Sequence, residues 1–116
     1  MGIIHLEGIK IFAYHGVFDV EQAVGQWYEI SLSVTTDFAA AAKTDELTGT
    51  IDYAALNNLV HREMAIKSKL VEHVAQRIAN AIKKEFPAIE KGTICISKLN
   101  PPVKGQLNSM KIELSF

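Results

Sequence analysis

Several side chains stand where chemistry could be done. Lys98 closes an alternating run from Thr93, just before Leu99-Asn100-Pro101-Pro102. By parity it falls on the side of Ile94 and Ile96, the apolar side. An ammonium at the mouth of an apolar face is partly desolvated, which favours its neutral form. That is one route to a lysine acting as acid, base or Schiff-base nucleophile. The plainer reading is an edge lysine whose stem covers the core while its head reaches water. Glu72, beside Val71, falls in the first turn of an apolar-striped helix. There a carboxylate is favoured by the helix N-terminus alone. It could also point into a cleft and accept two hydrogen bonds from an amidine-like ligand edge.

Tyr53 follows Asp52 at the start of another helical stretch. It reads either as an amphipathic tyrosine at the core edge or as a phenol donating to a substrate hydroxyl. Glu21 sits in a segment bounded by Gly16 and Gly25. It is a solvated charge, or a carboxylate that pairs with Lys98 or orients a substrate hydroxyl. His15, in Tyr14-His15-Gly16, reads as a structural histidine after a strand. The other histidines, His5, His61 and His73, share no ligand spacing with carboxylates or Cys95, so no metal site is expected. No Gly-rich phosphate loop, nucleophile elbow or dinucleotide fingerprint is present, so no cofactor is expected.

Positioning these residues requires strands and helices in a definite order. From Trp27 to Phe38, Tyr28, Ile30, Leu32 and Val34 alternate with Glu29, Ser31, Ser33 and Thr35, the mark of a half-buried strand. Met110, Ile112, Leu114 and Phe116 repeat the pattern, as do residues 93–98. Residues 3–13 are β-like with a phase shift at Gly8, which predicts a bulge. Asp52 can cap a helix bearing Leu56, Leu59 and Val60. Ser68 can cap a second, bearing Val71, Val74, Ala75, Ile78 and Ile82, which Pro87 stops. The order ββααββ follows: an α+β fold, a four-stranded antiparallel sheet with both helices on one face. The opposite sheet face is polar, fit for water or for the inside of an oligomeric barrel. Residues 14–25, 39–51 and 99–108 read as irregular, and such segments tend to carry function.

Composition sets the outer limits. The chain has 116 residues, 48% apolar and 22% charged, so residues 1–116 are expected to form one ordinary globular domain. Twelve Lys+Arg against thirteen Asp+Glu leave a net charge of −1, with no global basic field for nucleic acid. One cysteine excludes an intramolecular disulfide. No apolar run approaches the roughly 18–20 residues of a membrane span. The first residues show no basic start followed by an apolar block, so no signal peptide and a cytoplasmic setting are expected.

Taken together, the motifs fall in a familiar order: Ala13-Tyr14-His15-Gly16-Val17, Glu21 before Gly25-Gln26, Thr50-Ile51-Asp52-Tyr53, Leu70-Val71-Glu72-His73-Val74-Ala75, and Ser97-Lys98-Leu99-Asn100-Pro101-Pro102-Val103. The series resembles the dihydroneopterin aldolase family of folate biosynthesis over nearly the whole chain. The resemblance implies that family's tunnelling fold and a metal-independent retro-aldol cleavage of 7,8-dihydroneopterin. It implies Lys98 as general acid/base, Glu72 as the anchor of the amino-pyrimidinone edge, and backbone contacts to the same ring from Val71. Tyr53 is implied near the scissile bond, and Glu21 as the loop carboxylate. It further implies four-subunit rings stacked into octamers, with sites shared between neighbouring subunits, so that Glu21 and Tyr53 could come from a different chain than Glu72 and Lys98. Two other readings stay open. One is epimerisation of dihydroneopterin or its triphosphate, for which Lys104 is a candidate extra cation. The other is a non-catalytic pterin-binding ring protein.

Overall fold

The computed structural model describes residues 1–116. Its frame is one antiparallel sheet in the order β1-β2-β3-β4. The strands are β1 (Gly2–Ala13), β2 (Gln26–Thr36), β3 (Lys91–Lys98) and β4 (Met110–Ser115). Along β2, Tyr28, Ile30, Leu32 and Val34 are buried while their odd-numbered neighbours are not, as the period-two pattern requires. The registers Ile30↔Ile96 and Leu32↔Ile94 stack the apolar sets of adjacent strands on one side. In β1 the register slips between Leu6 and Ile9, so Glu7 and Gly8 together oppose the single residue Ser31. Gly8 has φ 66°, a conformation that glycine adopts without the Cβ penalty. The slip moves the inward set from Ile4 and Leu6 to Ile9, Ile11 and Ala13.

Two longer helices follow β2: α3 (Tyr53–Met64) and α4 (Val71–Glu85). Asp52 caps α3, its carboxylate accepting from the amides of Ala54 and Ala55. The core is a cluster of buried apolar side chains that includes Ile30, Leu32 and Ile96 of the sheet together with Leu56, Val74 and Ile78 of these helices. Pro87, just past the C-cap Phe86, prevents α4 from continuing.

The chain order departs from the expected ββααββ. A short helix, α1 (Asp19–Val24), separates the first two strands, and α2 (Ala39–Thr44) with a 3-10 turn at Leu47–Gly49 precedes α3. Both extra helices lie in segments read as irregular. Each is 6 residues long, too short to show a face repeat. Nor does Ser68 cap α4. The N-cap is Leu70, whose apolar side chain can make no cap bond, and the Ser68 hydroxyl is held by His73 and Arg77.

Candidate active site

Lys98 is the last residue of β3 and lies opposite Tyr28 in the ladder. Its parity turns it inward with Ile94 and Ile96, and it is buried. Its ammonium donates a hydrogen bond of 2.8 Å to Glu21 Oε2. Glu21, expected in a loop, is instead on α1 and buried. Its other carboxylate oxygen accepts from the Phe18 amide at 3.3 Å, which holds the side chain to the start of its own helix. Gly16 makes room for it, since a Cβ at that position would lie 2.3 Å from the Glu21 carboxyl carbon. A buried ion pair adds little net stability, because desolvation offsets the Coulomb attraction. Its presence here is better explained by a task than by the fold.

A cavity of about 280 Å³ opens beside the pair. Glu21 and Lys98 form one wall, Val71 and Glu72 of the first turn of α4 another, and Pro101 and Pro102 a third. First-turn amides of a helix lack intrahelical partners and carry the positive end of the helix dipole. The cavity thus joins a carboxylate, free amides and a buried ammonium–carboxylate pair within a largely apolar lining. That combination suits a flat, polar-edged heterocycle bearing groups that must exchange protons. A larger hollow of about 820 Å³ against Phe12 and Trp27 contains neither the ion pair nor Glu72, so size alone does not mark the site.

The sequence-expected residues divide cleanly. Glu21, Val71, Glu72 and Lys98 meet within one chain. Glu21 therefore shares a chain with Lys98, against the expectation that the two could come from different subunits. Tyr53, the first residue of α3, is 64% exposed and absent from the cavity lining. Sequence reasoning missed Lys69, which also lines the cavity, and missed the structural partners behind it. His15 is fully buried, with its backbone carbonyl accepting from the Tyr28 hydroxyl at 2.8 Å. Burial pushes its imidazole down to about 4, helped by the Arg77 and Lys98 charges, while the neighbouring Met64 carbonyl works the other way. Burial likewise pushes the Tyr28 phenol up to about 12.

The family model for dihydroneopterin aldolase matches residues 4–115. The chain belongs to the dihydroneopterin aldolase family. It is 34% identical over 119 residues to the dihydroneopterin aldolase of Bacillus subtilis, covering 99% of this chain and 97% of that one. It is 37% identical over 118 residues to that of Streptococcus pyogenes serotype M18, covering 98% and 97%. In fold it superposes on E. coli dihydroneopterin aldolase, solved in complex with neopterin, with a TM-score of 0.91 at 24% identity, covering 100% of this chain and 99% of that one. The four-stranded antiparallel α+β architecture is thus shared with this family's solved structures.

Proposed function

We propose that this protein cleaves 7,8-dihydroneopterin by a retro-aldol reaction in folate biosynthesis, releasing 6-hydroxymethyl-7,8-dihydropterin and glycolaldehyde. Family membership supports the activity. The observation in this chain that carries the reading is the buried Lys98–Glu21 pair opening on the same cavity as Val71 and Glu72. In this reading Glu72 accepts hydrogen bonds from the 2-amino group and ring N3–H, and Val71 contributes backbone contacts. The charge-assisted pair of bonds fixes the ring's orientation.

The chemistry then needs a proton acceptor and an electron sink. Removing the side-chain hydroxyl proton breaks the adjacent carbon–carbon bond and frees glycolaldehyde. The electron pair flows into the ring's conjugated C=N, and reprotonation at carbon completes the pterin product. The dihydropterin is its own sink, so neither a lysine imine nor a metal is required. Lys98 and Glu21 together hold and move the proton, a role worth about 10²–10⁴-fold in rate. Tyr53 orients the hydroxyl or protonates the intermediate from a neighbouring subunit, since its exposed place at the head of α3 is outside its own chain's cavity. Rejoining the fragments with opposite configuration would give epimerase side activity from the same groups.

The full reading is a single domain, residues 1–116, with the tunnelling fold. The two long helices cover the apolar sheet face. The polar face, with Ser31, Ser33 and Thr35, lines the inside of a ring. The sheet ends in two open edges, β1 and β4. Pairing β1 of one copy with β4 of the next would remove those edges. Rings of four, stacked into octamers, fit this arrangement. The setting is the cytoplasm, where reducing conditions preserve both the lone thiol and a dihydropterin.

The deciding experiment incubates EDTA-treated protein with 7,8-dihydroneopterin and quantifies glycolaldehyde and pterins by chromatography. Glycolaldehyde from the wild type, with little from Lys98→Ala, is the expected result. Pterin binding without glycolaldehyde would turn the reading to an epimerase or a binder, and the triphosphate would be the next substrate.

A further inference from the structure

The two walls of the cavity come from segments far apart in sequence. One wall follows the end of β1, where Tyr14-His15-Gly16 leads into α1 and Glu21. The other follows residues 65–70, which connect α3 to α4 and so set where Val71 and Glu72 begin. The two segments meet at one joint. The Ser68 amide donates to His15 Nδ1 at 3.1 Å, and the Gly16 amide donates to the Ser68 carbonyl at 3.0 Å. The joint is anchored on three further sides. The Tyr28 hydroxyl donates to the His15 carbonyl at 2.8 Å, and Tyr28 is the ladder partner of Lys98. The Gln22 side chain of α1 donates to the Gly16 carbonyl at 2.8 Å. The Ser68 hydroxyl contacts His73 Nδ1 and accepts from Arg77 Nη1, each at 2.8 Å, so it is bound to the first two turns of α4. Arg77 also donates to the carbonyls of Glu63 and Ile66, which closes the connection on itself.

We propose that His15 is a positioning residue for the pterin site: its Nδ1 fastens Ser68, and thereby the start of α4 with Val71 and Glu72, to the wall that carries Glu21 and Lys98. The geometry is specific about the atom. Nδ1 accepts from an amide, so the ring proton is on Nε2, which is near the Met64 carbonyl but makes no close hydrogen bond. The histidine thus keeps one buried donor poorly paired. A ring retained only for packing would be better served by an apolar side chain of similar size. What an apolar side chain lacks is the acceptor for Ser68. Without it a buried amide is left unpaired, and the connection has to shift to recover a partner. A shift of the first turn of α4 by a fraction of an ångström is enough to spoil a two-bond contact to a planar ring edge.

The proposal rests on the functional reading above, and the test separates the two. His15→Leu removes the acceptor. His15→Asn places its Oδ1 near the site of the imidazole Nδ1 and restores it. Ser68→Ala keeps both backbone bonds but frees His73 and Arg77. With 7,8-dihydroneopterin as substrate, His15→Leu should raise KM about tenfold or more and leave kcat within about threefold, the signature of a lost binding contact. His15→Asn should bring KM back to within about threefold of wild type. Neopterin titration followed by fluorescence should show the same order of Kd. Hydrogen exchange at the amides of residues 66–72 should quicken in His15→Leu and recover in His15→Asn. Folded His15→Leu with wild-type KM and Kd overturns the proposal, even if its melting temperature drops. So does a His15→Asn no better than His15→Leu. Should His15→Leu not fold, His15→Ala, which also removes the acceptor, carries the test at reduced temperature, and a wild-type KM and Kd in that variant overturn it. A wild type that neither binds neopterin nor releases glycolaldehyde would sink the functional reading and this inference together.

Discussion

At the scale of residues, the proposed reaction divides labour between two carboxylates. Glu21 is buried against an ammonium at 2.8 Å, whereas Glu72 is exposed at the cavity rim. In the proposed function the first assists Lys98 and the second holds the ligand. Lys98→Ala should therefore cut kcat by about 10²-fold or more and leave neopterin affinity nearly unchanged. Glu72→Ala should instead abolish measurable binding. Equal loss of affinity in both variants would contradict this division. His15 supplies a second expectation at this scale. Its folded pKa of about 4 lies below the ordinary 6.5. Above pH 6.5 neither state is protonated there, and the contribution to stability is complete. As pH falls toward 4 the unfolded chain takes up a proton that the folded chain refuses. Stability then drops, by about 3 kcal/mol once pH is below 4. Urea unfolding of wild type and His15→Asn between pH 7 and 4 should show a shallower decline in the variant. Parallel curves would rule the histidine out as a source of acid lability.

At the scale of elements, most of the sheet was legible before the coordinates, because a one-faced strand must alternate. Tyr28, Ile30, Leu32 and Val34 announced β2, and the break in phase at Gly8 announced the bulge. The Asp52 cap was legible because a carboxylate before an apolar i, i+3, i+4 stripe has one use. Asp52→Ala should lower stability by about 1 kcal/mol, seen as a small fall in thermal midpoint with the fold intact. No change would mean that the Ala54 and Ala55 amides find water equally well. The short helices α1 and α2 were not legible. A helix of 6 residues has under two turns in which to show a face. The Ser68 cap was misjudged because a serine before a helix has the right chemistry. Here its hydroxyl is claimed by Arg77 from two turns along α4. No local pattern records that competition.

At the scale of the whole molecule, the position of Tyr53 is the main clue. In the proposed ring, a phenol at the exposed head of α3, outside its own chain's cavity, would serve the site of a neighbouring copy. The proposed ring makes a sharp expectation. Tyr53→Phe and Lys98→Ala subunits, each poorly active alone, should regain activity when unfolded and refolded together, because some sites then combine Lys98 of one chain with Tyr53 of another. Activity no greater than the average of the two parents would mean that each site is built from one chain.

The amino-acid sequence by itself determined the residue types at the site, the family resemblance and the alternating strands. These depend on local identity and spacing, which a linear text preserves. Only the tertiary structure decided that Glu21 is buried on a helix and paired with Lys98, 77 positions away. It alone decided that Ser68 joins His15 rather than capping α4, and that Tyr53 is outside the cavity. Each of these is settled by competition among distant polar groups for the few partners available in a water-poor interior. Such competition is resolved only when the chain has folded and the distances are real.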